Sequence, residues 1–139
     1  MRFNNWYAFG LLLLCFSTVR AQEFEGPIYD IEKLVLKWNK AIDGHDIGDL
    51  KGLYLDEVEV YGQSMTRGEC LDGKIAWLKK HAGYRQEVEG VDELLTEEDH
   101  YRAIFEKSMT ENGKTTKVKA FLDFVETESG AWKIKRESD

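Results

Sequence analysis

YRAIFEKSMTENGKTTKVKAFLDFVETESGAWKIKRESD, residues 101–139, decides the fold. From His100 to Thr110 apolar and polar residues alternate, with Tyr101, Ala103, Phe105, Lys107 and Met109 on one side. A period of two is the signature of a strand with one face against a core. Asn112-Gly113 is a strong two-residue hairpin signal. Residues 115–126 form the next strand, with Val118, Ala120, Leu122 and Phe124 on one side and Lys119, Phe121, Asp123 and Val125 on the other. Glu128-Ser129-Gly130 turns the chain again, and Trp132, Ile134 and Arg136 share a face of the final strand.

Upstream, the period changes to that of helices. Ile28, Ile31, Leu34, Val35, Trp38, Ala41 and Ile42 recur at spacings of three and four after Pro27, and Gly44 closes the stretch. A second, short helix is expected from Asp46, with Ile47, Leu50, Leu53 and Tyr54 inward. Residues 57–61 alternate as a short strand with Val58 and Val60 inward, and Gly62 stops it. Thr66-Arg67-Gly68-Glu69 has the spacing of a capping box. The helix it opens should run to about His81, with Leu71, Ile75 and Leu78 as one stripe and Cys70 and Trp77 beside it. From Tyr84 the period returns to two, with Tyr84, Gln86 and Val88 on one face. The acids between Glu87 and Asp99 lack the ligand spacing of a calcium loop and read as a solvated strand and turn.

The first residues stand apart. Met1-Arg2 gives a positive start, Tyr7 to Phe16 is an apolar run, and Val19-Arg20-Ala21 offers a peptidase site. Residues 1–21 are therefore expected to be a signal peptide, and residues 22–139 a single exported domain, periplasmic or secreted. The run is too short to anchor a span, which needs ~20 apolar residues, so no stable membrane span is expected after cleavage. The whole chain carries a formal charge of −7, and loss of Arg2 and Arg20 with no acid makes the domain more acidic still. Such a surface repels phosphate backbones and argues against nucleic acid as a partner. One cysteine, Cys70, would remain, so no internal disulfide can form and burial alone must hold the core. Cys70 reads as a buried helix residue.

Helix, helix, short strand, helix, then four long strands is an α+β order, with helices gathered on one face of a mostly antiparallel sheet. A sheet strongly curved around about three helices forms a cone with an open mouth. The residues 38–46 (WNKAIDGHD), the Leu53-Tyr54 to Val60-Tyr61-Gly62 segment, and the block from Phe121-Leu122-Asp123-Phe124 through Trp132 to Glu137 resemble the nuclear transport factor 2-like superfamily. That superfamily includes the cone folds of polyketide cyclases and ketosteroid isomerase. The resemblance covers nearly all of residues 22–139 in element order. It implies a pocket between the first helices and the concave sheet face. It does not imply an activity, since enzymes, binders and association domains share the fold.

The candidate lining of that pocket is Trp38, Tyr54, Tyr61, Trp77, Tyr84 and Gln86, joined from the sheet by Phe105, Lys107, Leu122, Trp132, Arg136 and Glu137. Each aromatic could equally be core packing. Lys107 is more informative, because it alternates in phase with Ala103 and Phe105. An inward ammonium needs a partner. Glu137 is the expected one, either as a structural ion pair at the rim or as an anchor for an acidic or polar ligand. Arg136 depends on whether a bulge exchanges it with Glu137.

Related isomerases and dehydratases place an Asp, or a His–Asp pair, inside the cone. Here His45, His81 and His100 fit surface or capping roles, and Asp123 falls on the outer side. No inward carboxylate has a histidine beside it, as general acid–base chemistry would want. Ser64, Ser108 and Cys70 have no neighbouring base, and neither a metal-ligand spacing nor a Gly-rich phosphate loop occurs. No cofactor or metal is expected. The reading is thus a small, largely apolar ligand held in the cone without catalysis. An isomerase, cyclase or dehydratase-like enzyme and a homodimeric association module with a filled cone are the alternatives. An inward Asp46, Asp123 or Glu137 bonded to a Tyr or His would favour the enzyme.

Overall fold

A computed structural model describes residues 27–139. The expected signal peptide lies outside the described residues. Among the described residues no helix is long and apolar enough to cross a membrane.

Helix α1, Pro27–Asp43, buries Ile31, Val35, Trp38, Ala41 and Ile42 along one side. Their spacing is the reason the helix docks, and full burial of each large side chain contributes roughly 1.5–3 kcal/mol. The expected second helix is instead a four-residue 3-10 turn, Ile47–Leu50, in which Asp46 makes no side-chain cap. Gly48 lies within this turn and Gly52 two residues beyond it, and glycine disfavours propagation of an α-helical nucleus. Strand β1, Tyr54–Val60, is followed by β2, Gln63–Thr66. Helix α2, Arg67–Lys80, opens on the expected capping box: Glu69 N donates to Thr66 Oγ1 at 3.2 Å and Thr66 N to Glu69 Oε2 at 3.0 Å. The helix is rotated from the expected stripe. Cys70 and Leu78 are buried, whereas Ile75 is exposed.

The remaining strands are β3, Arg85–Glu87, β4, Glu93–Thr96, β5, Tyr101–Glu111, β6, Lys114–Glu126 and β7, Trp132–Ser138. The first of the four long strands expected is thus two short ones, β3 and β4, which both pair with β5. The sheet order is β2-β1-β7-β6-β5-β3, with β4 also on β5. It is mixed rather than wholly antiparallel, because β1 and β7 run parallel. Among the described residues, two α-helices and a curved, unclosed sheet of seven strands therefore make an α+β cone.

Two hairpins rest on positive backbone angles. Asn112 (φ 52°) and Gly113 (φ 75°) join β5 to β6 in the expected turn. Tyr61 (φ 48°) and Gly62 (φ 78°) join β1 to β2 in the same way. Both residues of a type I′ turn need this region. A tyrosine there is uncommon, and it is why β2 carries no turn signal upstream of it.

The β6–β7 ladder pairs Asp123 with Arg136 but Phe124 with Ile134, leaving Lys135 as an extra residue. This bulge reverses the facing of everything after it. Ile134 and Glu137 are buried on the concave side, and Arg136 sits beside Asp123 on the outer side. Phe105, Leu122, Phe124 and Ile134 lie fully buried, and Trp38 packs edge-on against Phe105 with centroids 5.7 Å apart.

Candidate functional site

Beyond that filled core the cone is hollow. A cavity of about 520 Å³ lies between α1, α2 and the ends of β1, β3, β5 and β7. Trp38 and Ile42 reach it from α1, and Cys70, Lys74, Trp77 and Leu78 from α2. Tyr84 and Gln86 close one side, Val60, Tyr61 and Met65 the other. Lys107 and Met109 on β5, with Glu137 and Asp139, make the charged floor. Trp77 (42% exposed) and Tyr61 (53%) are the lining aromatics that reach solvent, which marks the open side.

Of the twelve residues expected at the pocket, Trp38, Tyr61, Trp77, Tyr84 and Gln86 line it, as do Lys107 and Glu137. The other five do not. Phe105 and Leu122 are fully buried in the core, Phe105 against Trp38 of α1. Trp132 is at the far end of β7, packed edge-on against Tyr101 at 5.2 Å. Arg136 is turned to the outer face by the bulge. Tyr54 is buried behind the floor, bonded to the lining residues Trp38 and Glu137.

The floor is a set of ordered polar contacts. Trp38 Nε1 donates to Tyr54 Oη at 2.9 Å, Tyr54 Oη donates to Glu137 Oε2, and Lys74 Nζ donates to Glu137 Oε1. Glu137 is only 3% exposed, so both carboxylate oxygens are neutralised or bonded where water is scarce. The expected Lys107–Glu137 pair does not form. Lys107 Nζ donates instead to Asp139 Oδ2 at 2.7 Å. Two pairs replace one: α2 brings Lys74 to Glu137, and Lys107 takes Asp139. Lys74 was missed in the sequence. Its signal is the run Cys70, Lys74, Trp77 and Leu78, which puts one lysine on the inner face of the helix.

Burial pushes the Tyr54 phenol well above its ordinary value, and the neighbouring Glu137 carboxylate adds to it. Burial likewise raises Tyr84 to about 12, helped by Asp139, and Cys70 to about 11. These groups are neutral hydrogen-bonding or apolar wall at neutral pH. Tyr84 Oη donates to Gln86 Oε1 at 2.8 Å, and Gln86 Nε2 to Asn39 Oδ1 at 3.0 Å, which orients the amide.

The histidines stand off the floor. His45 Nε2 lies 2.8 Å from the Tyr84 carbonyl, and His81 stacks on Trp77 and bonds Glu111. His100 is not the surface residue expected. Its ring is largely buried, 3.5 Å from the Asp123 carboxylate. Asp123 faces the outer side as expected, yet it is fully buried, held by Arg102 at 2.8 and 2.9 Å and by Arg136 at 3.2 Å. Arg102 also lies over the Phe121 ring at 3.9 Å. Among the described residues no group of three or more His, Cys, Asp or Glu could hold a metal. A second, larger groove of about 800 Å³ crosses the β3–β5–β6 edge. Asp43 pairs there with Arg85 and Glu106 with Lys117 among further exposed acids, and it reads as a solvated surface.

No protein-family model and no curated protein sequence matches the chain. Solved structures do. An uncharacterised protein with a cystatin-like fold from Caulobacter vibrioides superposes with a TM-score of 0.67 at 18% identity, over 81% of this chain and 87% of that one. A nuclear transport factor 2-like protein of unknown function from Shewanella oneidensis MR-1 gives 0.62 at 15% identity, over 81% and 97%. The fold is nuclear transport factor 2-like. Bd1075 of Bdellovibrio bacteriovorus is a further match, at 0.63 and 14% identity, but the chain spans only 38% of its length. Identities this low carry the nuclear transport factor 2-like fold and no activity.

Proposed function

We propose that this is an exported domain that binds a small, largely apolar molecule in the cone cavity without transforming it. The observation that carries the reading is a cavity of about 520 Å³ with aromatic and aliphatic walls and a charged floor. Pockets of that size, apolar with a few convergent polar groups, are the usual form of small-molecule sites. Export rests on the apolar leader read in residues 1–21. Native mass spectrometry of the exported protein tests both parts. A cleaved chain carrying a releasable small molecule is the expected result. A bare protein that takes up no apolar compound would overturn the reading. The same spectra give the stoichiometry.

A second reading has one observation in its favour. Glu137 is an inward carboxylate bonded to Tyr54, which is the arrangement a proton-transferring isomerase or cyclase needs. Against it, Lys74 occupies the other oxygen of Glu137. Conversion of the bound molecule on incubation, abolished in Glu137→Gln, would establish the enzyme. Recovery of the molecule unchanged favours the binder.

A further inference from the structure

The two ion pairs on the floor differ in how firmly their partners are held. Lys107 stands within β5, paired across to Val118 on β6, and its side chain is 5% exposed. Its ammonium faces the cavity floor, largely out of bulk solvent, and stays there while β5 is in the sheet. Its one hydrogen-bond partner among the described residues is Asp139. Asp139 follows Ser138, where β7 ends, and its side chain is a quarter exposed. A fixed, desolvated cation is therefore matched to a carboxylate outside the ladder.

Glu137 is the opposite case. It lies inside β7, opposite Leu122, and takes donors from both Tyr54 and Lys74. A cationic ligand would have to displace two donors to reach it. A carboxylate ligand needs to displace only Asp139, which can turn out and regain its hydration. The cost of desolvating Lys107 requires an anion beside it, and does not require that the anion belong to the chain. Lys74 already neutralises Glu137, so the incoming anion meets little opposing charge on that side.

Resting on the binding reading above, we propose that the ligand is an apolar molecule bearing one carboxylate, which takes the place of Asp139 at Lys107. Asp139 is then a built-in stand-in that keeps Lys107 paired. The ligand's body lies between Trp38, Met109, Tyr84 and Trp77.

Calorimetric titration of the full chain with naphthoate, methyl naphthoate and naphthylmethylamine tests this. The three share one aromatic body and differ in the charge of the head. The acid should bind about tenfold more tightly than the ester, as one charge-assisted hydrogen bond implies. The amine should bind no better than the ester. Asp139→Asn should tighten the acid and leave the ester unchanged. Lys107→Met should erase the difference between acid and ester, and Lys107→Arg, which keeps the cation, should retain it. If the ester binds and the acid binds no tighter, or if Asp139→Asn weakens the acid, the proposal falls and the binding reading stands. If none of the three binds, both fall.

Discussion

Tyr54→Phe removes one oxygen and no carbon, yet it should be among the more damaging single changes in the domain. The phenol uses both its capacities. It accepts from Trp38 Nε1 at 2.9 Å and donates to Glu137, with all three side chains buried. Phenylalanine leaves the indole N–H without its acceptor, a cost of roughly 1–3 kcal/mol for a buried unsatisfied group. It also strips one donor from an ionised carboxylate, and hydrogen bonds to charged groups are worth about 1.5–3 kcal/mol. Glu137 keeps Lys74 and borders a cavity that water can enter, so the second term counts at its lower end. A net loss of about 3 kcal/mol follows. For a domain of this size that lowers the Tm by roughly 10–15 °C.

Denaturant titration and calorimetry of wild type, Tyr54→Phe, Glu137→Gln and the double variant would measure it. Because the two residues touch, the cycle should show a coupling of about 1 kcal/mol or more. A Tyr54→Phe protein within about 0.5 kcal/mol of wild type, or strictly additive losses, would refute the idea that this buried chain of hydrogen bonds ties the cavity floor to α1.

Asp123→Asn should cost about 2 kcal/mol in chemical denaturation, less than the roughly 3–5 kcal/mol typical of breaking a buried pair, because Arg102 and Arg136 are each partly exposed and can turn to solvent. The Arg85 hydrogen bond holds the Asp43 carboxyl below its ordinary range. Its stabilisation is thus present above the unfolded carboxyl value of about 4 and is lost as pH falls through the lower folded value. Asp43→Asn should accordingly flatten the acid limb of a Tm-against-pH curve, and an unchanged limb would remove Asp43 from the account. In a protein of residues 22–139, whose single cysteine is Cys70, that thiol should react with a thiol reagent at pH 8 on the order of 100-fold more slowly than free cysteine, given its value near 11. A rate equal to that of free cysteine would mean the wall of the cavity opens readily.

Much of the scaffold was legible because its signals are local. The α1 stripe, the Thr66–Glu69 capping box, the Asn112-Gly113 turn and the alternation along β5 and β6 each depend on residues within a few positions. So did the inward direction of Lys107. What failed to show was set by contacts distant in sequence. Lys74 meets Glu137 across 63 positions, and Lys107 meets Asp139 across 32. Strand β2 is exposed along most of its length, so no alternation marks it, and its turn uses a tyrosine where glycine or asparagine would be the recognisable residue. Phe105 and Leu122 alternate correctly toward the concave side. Their period says nothing of whether the space above them is filled, and over Phe105 it is filled by Trp38 of α1.

The extra residue at Lys135 governs most of what the site contains. Without it, strict alternation from Ile134 would carry Arg136 inward and send Glu137 and Asp139 to the outer face. An inward Arg136 would stand with Lys74 and Lys107 in the same cavity, three cations with no carboxylate from β7 among them. Asp123 would lose one of its two guanidinium partners on the other side. The bulge solves both problems with one residue. It gives the buried Asp123 its second arginine, and it delivers Glu137 to Tyr54 and Lys74. The outer charge cluster and the cavity floor are therefore two faces of one local irregularity. Arg136 and Glu137 both owe their facing to it.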